Sequence, residues 1–417
     1  MIDRPIRMLA VAVLLALAPQ VFAQDAEEDV ETVPVKPLEE PEEDMIPLLP
    51  TVQWTFTGNI QGDALASSDL EVDREKDTEL RRARLSALLE WHSWRMKLGV
   101  DLAEEAPVGE DVLPLRDLSF EYRGWPVYLE FGQFVEPFGM LQSGSRNAAL
   151  MERPQPAGLG PGYGIGIAAN MRGELWGFSI GAFGPTENDV FFGGREEAAL
   201  TMRGTFAPLQ FEDGLVHFGV AVSQREPVDS LLQFVTIPET VLLLGLNTSS
   251  ERLITEDYRL YGAEFAAQWG PVVVESEYYN ADIGEAIVFD DVFSGEINFI
   301  SPSYTGYYVE AAWTVTGEQR DYSTRRGTFG GIAPETPLFD GGIGAIEVAA
   351  RRSHTDLTDE RNGGERGAVS SVAVNWYPIE YAKVMLEGLR IVEESAGAGR
   401  EEVNAVQLRV QLHYSLP

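Results

Sequence analysis

The chain has 417 residues, 44% of them hydrophobic, enough for a sizeable core and ordinarily for two or three domains. Lys and Arg number 31 against 66 Asp and Glu, and a formal charge of −35 repels polyanions, which argues against a nucleic-acid partner. The absence of cysteine excludes disulfides, thiol nucleophiles and thiolate metal sites, and the four histidines, His92, His217, His354 and His413, are too scattered to form a metal motif. No metal site and no cofactor is expected.

The first element is a targeting segment. Arg4 and Arg7 precede an apolar stretch, Met8 to Pro19, followed by Val21-Phe22-Ala23, a pattern that predicts a secretory signal peptide over 1–23. The stretch is shorter than the ~20 residues a spanning helix needs. Residues 24–50 hold ten Asp or Glu, one Lys and five prolines, too little apolar surface to offset the entropy of ordering. They are expected to be a flexible, acidic, Pro-rich periplasmic tail carrying −9 of the charge, with an acidic docking arm as the other reading.

Residues 51–417 read as one long series of strands. No apolar run is long enough for a transmembrane helix, and segments of about ten residues alternate in polarity. Strands are expected at 53–63, 80–92, 94–103, 115–123, 126–135, 163–172, 174–184, 199–207, 214–225, 258–269, 271–280, 304–316, 343–353, 367–377, 380–391 and 403–415, sixteen in all. A soluble sandwich alternates in the same way. Three features favour an all-β, transmembrane antiparallel β-barrel. Aromatics gather near strand ends as interfacial girdles would: Trp54, Trp91, Trp94, Trp125, Trp176, Tyr258, Trp269, Trp376 and Tyr414. Long and short connections alternate. Charges crowd one strand face and are nearly absent from the other, as a lipid-facing Lys or Arg costs roughly 2–4 kcal/mol at the midplane. One connection, 317–342, breaks the alternation: by parity it belongs with the short turns, and it is expected to be a packed periplasmic loop. Sixteen strands enclose a lumen wide enough to hold water, so the fold implies a pore.

Six stretches in order carry a resemblance: Glu79-Leu-Arg-Arg-Ala-Arg-Leu85; Gly132-Gln-Phe-Val-Glu-Pro-Phe-Gly-Met140; Met151-Glu-Arg153; Tyr261-Gly-Ala-Glu-Phe-Ala-Ala-Gln-Trp-Gly-Pro271; Gly306-Tyr-Tyr-Val-Glu310 with Thr316-Gly-Glu318; and Asn375-Trp-Tyr-Pro378. Over residues 53–417 the chain resembles the phosphate-selective porin O and P family of Gram-negative outer membranes. The resemblance implies a homotrimer of sixteen-stranded barrels in which the third long loop, here 136–162, folds inward to form the constriction. That loop carries Arg146 and Arg153, the candidate gate. In the best-known members of the family, lysines on this loop and an arginine ladder on the wall bind phosphate; here the loop contains no lysine.

By the alternation, Arg82, Arg84, Arg95, Lys97 and Arg123 face the lumen on neighbouring strands, with Glu90, Asp101, Glu121 and Glu130 among them. Guanidinium groups suit phosphate because their planar donors meet its oxygens in pairs. These five cations are a candidate basic stripe for anions; cross-strand pairing that braces the interior is the alternative for each. Arg153 is equally readable as held in place by Glu152 or the wall.

The expected function is passive diffusion of small hydrophilic solutes, anions such as phosphate or polyphosphate foremost, through an outer-membrane pore; a general porin without phosphate selectivity is the alternative. A barrel enzyme or an adhesin is the distant one, and no Gly-x-Ser-x-Gly nucleophile motif is present. Expected partners are outer-membrane lipid, lipopolysaccharide and small anionic solutes.

Overall fold

A computed structural model describes residues 52–67, 77–103, 115–140, 147–184, 196–211, 213–289, 299–359, 363–395 and 399–416. The expected signal peptide, the acidic tail and loop residue Arg146 lie outside the described residues.

All sixteen expected strands are present: β1 (Gln53–Ser67), β2 (Thr78–Trp91), β3 (Trp94–Asp101), β4 (Leu115–Tyr122), β5 (Tyr128–Val135), β6 (Tyr163–Arg172), β7 (Trp176–Gly184), β8 (Glu196–Phe211), β9 (Gly214–Pro227), β10 (Tyr258–Trp269), β11 (Val272–Ile283), β12 (Ser303–Thr314), β13 (Ala345–Asp356), β14 (Glu365–Ile379), β15 (Ala382–Ser395) and β16 (Gly399–Leu416). Each pairs antiparallel with its neighbours, and β1 closes on β16 with Phe56 opposite Leu416 and Ser67 opposite Ala405. Closure pairs the backbone of the first and last strands and leaves no sheet edge, which a bilayer would not tolerate.

Strand polarity is inverted relative to a soluble sheet. In β14, Val369, Ser371, Ala373 and Asn375 are buried inside, while Val372, Val374 and Trp376 are exposed outside. An apolar exterior is stable only against lipid. All eight tryptophans are exposed at the turn end of the barrel, at 54, 91, 94, 125, 176, 269, 313 and 376, and form one interfacial girdle. Tyr258 is a correction to that expectation. It lies on the inward parity of β10 at the loop end, is fully buried, and its hydroxyl donates to Glu196 at 2.5 Å.

The lumen is filled unevenly. Among the described residues, three connections fold inward, where one was expected. Residues 136–140 with 147–162, and 228–257, enter from the loop end. Residues 315–344 enter from the turn end, so the long connection is packed, as expected, and the packing is inside the barrel. Phe138, Leu159, Leu232, Phe234, Tyr279, Tyr304 and Tyr308 form an apolar core inside the barrel wall of β10–β12. A second cluster packs Leu242, Leu243 and Leu246 of the middle segment on Val369, Leu389, Ile391 and Val403 of β14–β16. Burying this apolar area secures the inserted segments to one side of the barrel.

Candidate permeation path and its charged wall

The third long loop follows the wall from β10 round to β2. The Met140 N–H donates to Glu277 on β11 at 2.7 Å, and the Ala149 carbonyl accepts from Asn375 on β14 at 2.7 Å. The Ala148 carbonyl accepts from Lys383 on β15 at 2.7 Å, and the Met151 N–H donates to Glu387 at 2.8 Å. Glu152 then receives Arg81 at 2.8 and 3.0 Å, Arg82 at 3.3 Å and Arg409 of β16 at 2.5 Å, so the loop is anchored by a carboxylate shared among three guanidiniums. Arg409 is itself held by Asp63 at 2.6 and 2.7 Å. The short turn Gln155–Leu159 returns to β12, where Gly306 admits it: an added Cβ would lie 2.5 Å from Pro156.

Glu239 anchors the second inserted segment. Its carboxylate, fully buried, accepts from Arg351 at 2.5 and 3.0 Å, Ser353 at 2.5 Å, Ser371 at 3.2 Å and the Gln155 N–H at 3.1 Å. Segments 136–162 and 228–257 are thus bonded to each other as well as to the wall.

The third insert is a hairpin. Tyr322–Ser323 pairs with Thr328–Phe329, and Phe329 packs with Met140, Leu215, Ala266 and Val273. Arg320 donates to Glu347 and the Asn147 carbonyl, each at 2.5 Å. The Tyr322 hydroxyl and His217 Nδ1 are 2.6 Å apart, and Arg203 donates to the Arg326 carbonyl at 2.6 Å. Glu347 holds the Arg320 guanidinium above its ordinary value despite burial, and burial pushes the Tyr322 phenol up to about 12.

These inserts cover the lumen faces of β10–β16, whose Glu277, Glu310, Glu347, Arg351, Ser353, Glu387 and Gln407 are buried. Apart from Arg82, the expected stripe cations on β2 and β3 and just after β4 remain partly exposed. There Arg84 meets Asp101 at 2.7 Å, Lys97 meets Asp117 at 2.7 Å, and Arg123 meets Glu121 at 2.7 Å and Glu90 at 3.1 Å. Arg95 stands 3.7 Å from Glu90 and 3.9 Å from Glu121. Every member of the expected stripe has a partner, but the pairs are oriented. Arg84, Arg95 and Arg123 are 24–27% exposed and Lys97 44%, whereas Asp101, Asp117 and Glu121 are 4%, 11% and 5% exposed; Glu90, which faces Arg95 and Arg123, is the exception at 40%. Away from Glu90, the cationic end of each pair is the more exposed one. Arg82 differs from the other four: it is buried between Gln61, at 2.6 Å, and Glu152, and braces the loop.

Arg153 is neither fully exposed nor set apart. Burial, opposed by Tyr163 and reinforced by Arg116 and Arg84, pulls its guanidinium below the ordinary arginine value while leaving it charged. Arg84 and Arg116, toward the loop end of the stripe, both act on its charge. Arg116 was missed in the sequence because a register shift after Gly99 breaks the alternation beside it. Arg325, delivered by the hairpin, pairs with Glu121 and was missed for want of any local signal beyond the odd length of its connection.

A closed sixteen-stranded antiparallel barrel, lipid-facing outside and narrowed by inward loops, defines an outer-membrane channel of the porin class. The chain belongs to the phosphate-selective porin O and P family, whose model matches residues 55–414. Porin O of Pseudomonas aeruginosa is 24% identical over 332 residues, 70% of this chain and 72% of that one. Among solved structures, the outer membrane protein OmpT of Vibrio cholerae in its trimer form aligns with a TM-score of 0.52 at 12% identity, over 87% of this chain and 99% of that one. The anion-selective porin from Comamonas acidovorans aligns at 0.51 and 10% identity, over 87% and 100%. The family places the protein in the outer membrane and indicates a channel rather than an enzyme.

Proposed function

We propose that this protein passes small hydrophilic solutes by diffusion along the β2–β4 wall and prefers anions, phosphate among them. The observation that carries this reading is the orientation of the Arg84–Asp101, Lys97–Asp117 and Arg123–Glu121 pairs, in each of which the cation is the more exposed partner. A passing anion meets the near charge first, and a low-dielectric wall strengthens that difference. Kinship with Porin O and the likeness to a porin described as anion-selective support it. Assembly as a homotrimer and export by residues 1–23 belong to the same reading.

Pairing of every stripe cation favours a second reading, a general porin without phosphate selectivity. The two separate in a planar bilayer. Wild-type channels in a salt gradient are expected to give an anion-selective reversal potential, and added phosphate to block part of the chloride current. Cation preference without phosphate block would leave only the general porin, and absence of conductance would sink both. Lys97→Gln with Arg84→Gln is expected to move the reversal potential toward cations. Arg146→Ala with Arg153→Ala should do the same if these two form the gate, and unchanged selectivity would remove them from it.

A further inference from the structure

The inserted hairpin places a charge where the strand pattern has none. It leaves the turn end between β12 and β13, and its Arg325 reaches Glu121 on β4, eight strands away in a ring of sixteen and so on the opposite wall. The tip is held in that position from several sides. Arg203 donates to the carbonyls of Arg326 at 2.6 Å and Gly327 at 3.3 Å. Gly177 of β7 leaves room for the chain: an added Cβ would lie 3.2 Å from the Thr324 carbonyl oxygen. The Arg325 guanidinium also lies over the Tyr128 ring, 5.7 Å from its centre, with Arg172 5.1 Å from the same ring.

Three guanidiniums converge there. Arg123 donates to Glu121 Oε2 at 2.7 Å, Arg325 donates to Oε1, and Arg95 stands 3.9 Å from Oε2. Glu90 faces Arg123 and Arg95 at 3.1 and 3.7 Å. Glu121 is nearly buried beneath them, while Arg325 is 28% exposed, like Arg95 and Arg123. Glu121 holds the three forks together and Glu90, 40% exposed, takes a further N–H of Arg123; donors beyond these suit a tetrahedral oxyanion.

We propose that Arg325 is a specificity-determining residue of the channel, completing with Arg95 and Arg123 a three-guanidinium oxyanion site at the turn-end mouth. This rests on the channel reading above. It adds a second selective point, distinct from Arg84 and Arg116 toward the loop end, and assigns it to the long connection. A solute leaving the loop-end cations meets this site before it reaches the turn-end exit.

The test uses the full chain in planar bilayers, with Arg325→Ala and Arg325→Lys compared with wild type for reversal potential in a potassium chloride gradient. Inorganic phosphate is then added to each compartment in turn. Arg325→Ala is expected to shift the reversal potential toward cations and to weaken, severalfold, the block by phosphate added from the turn-end side. Arg325→Lys is expected to restore the reversal potential and not the block, since it returns the charge without the fork. Heat-modifiable migration of each variant confirms a folded barrel. Wild-type values in folded Arg325→Ala would overturn the proposal, and so would Arg325→Lys matching the alanine variant in reversal potential, which would make Arg325 a strut only. A wild type that conducts without anion preference would defeat that preference alone, because loss of this cation must still shift the potential.

Discussion

Glu239 shows how much a single buried residue can organise. Its backbone is in the left-handed region at φ 63°, a conformation that costs a residue with a side chain of order 1–3 kcal/mol. Donors from β13, β14 and the third long loop converge on its carboxylate and outweigh that strain. Glu239→Ala would deprive buried Arg351 of its closest partner; a buried pair broken from one side typically loses about 3–5 kcal/mol, and Glu310 at 3.0 Å limits the loss to the lower end. Urea unfolding from lipid vesicles, followed by tryptophan fluorescence, should register it, and a midpoint unchanged from wild type would contradict the role. Arg351 is placed on the lumen face by alternation alone. Glu239 is not, because a loop residue has no period to place it.

At the scale of elements, the third long loop is coupled to pH through Glu152. Burial alone would raise its carboxyl pKa, but Arg81, Arg82 and Arg409 together hold it well below the usual carboxylate range. A carboxyl depressed in the folded state stabilises that state fully above its unfolded value, ~4.3, and loses the contribution as pH falls through the depressed folded value. The loop should therefore stay seated from pH 7 to about 5 and loosen only in stronger acid. Single-channel current noise reports this directly: quiet records to pH 5 are expected from wild type, and noisy, pH-independent records from Glu152→Gln. Noise already rising in wild type at pH 6 would count against Glu152 as the anchor. The stretch Met151-Glu-Arg153 is legible in the sequence as part of a family pattern. That Glu152 is the anchoring residue is decided by contacts to β2 and β16.

For the molecule as a whole, the barrel sets an upper limit on pore width and the inserts determine how much of it is used. Two inserts seal the β10–β16 side with apolar clusters and ion pairs, and the hairpin narrows the turn-end mouth. Replacing residues 321–331 by a short Gly-Ser linker should raise single-channel conductance and leave the β-sheet circular-dichroism signal intact, because no barrel ladder passes through that segment. Unchanged conductance would mean that the narrowest point lies entirely at the loop end. The net charge of −35 has a similar resolution: it says nothing about the β2–β4 wall, where Asp101, Asp117 and Glu121 are more buried than the cations they pair with.

Sixteen strands, their inward and outward faces, and the tryptophan girdle follow from the sequence by itself. Lipid on one side of every strand imposes an apolar–polar alternation that can be read within ten residues, as in Val406 to Tyr414. The interior imposes no comparable pattern. A polar side chain pointing inward is equally compatible with water, with a cross-strand partner or with an inserted loop, so Arg82 and Lys97 look alike in sequence, yet one braces a loop and the other faces the path. Tyr258 was misplaced for the same reason, since an aromatic near a strand end suits a girdle or a core. The tertiary structure made these assignments through contacts between residues far apart in the chain: Arg325 with Glu121, Glu152 with Arg409, Glu239 with Arg351. Such contacts exist only once the barrel has closed and its connections have folded into it.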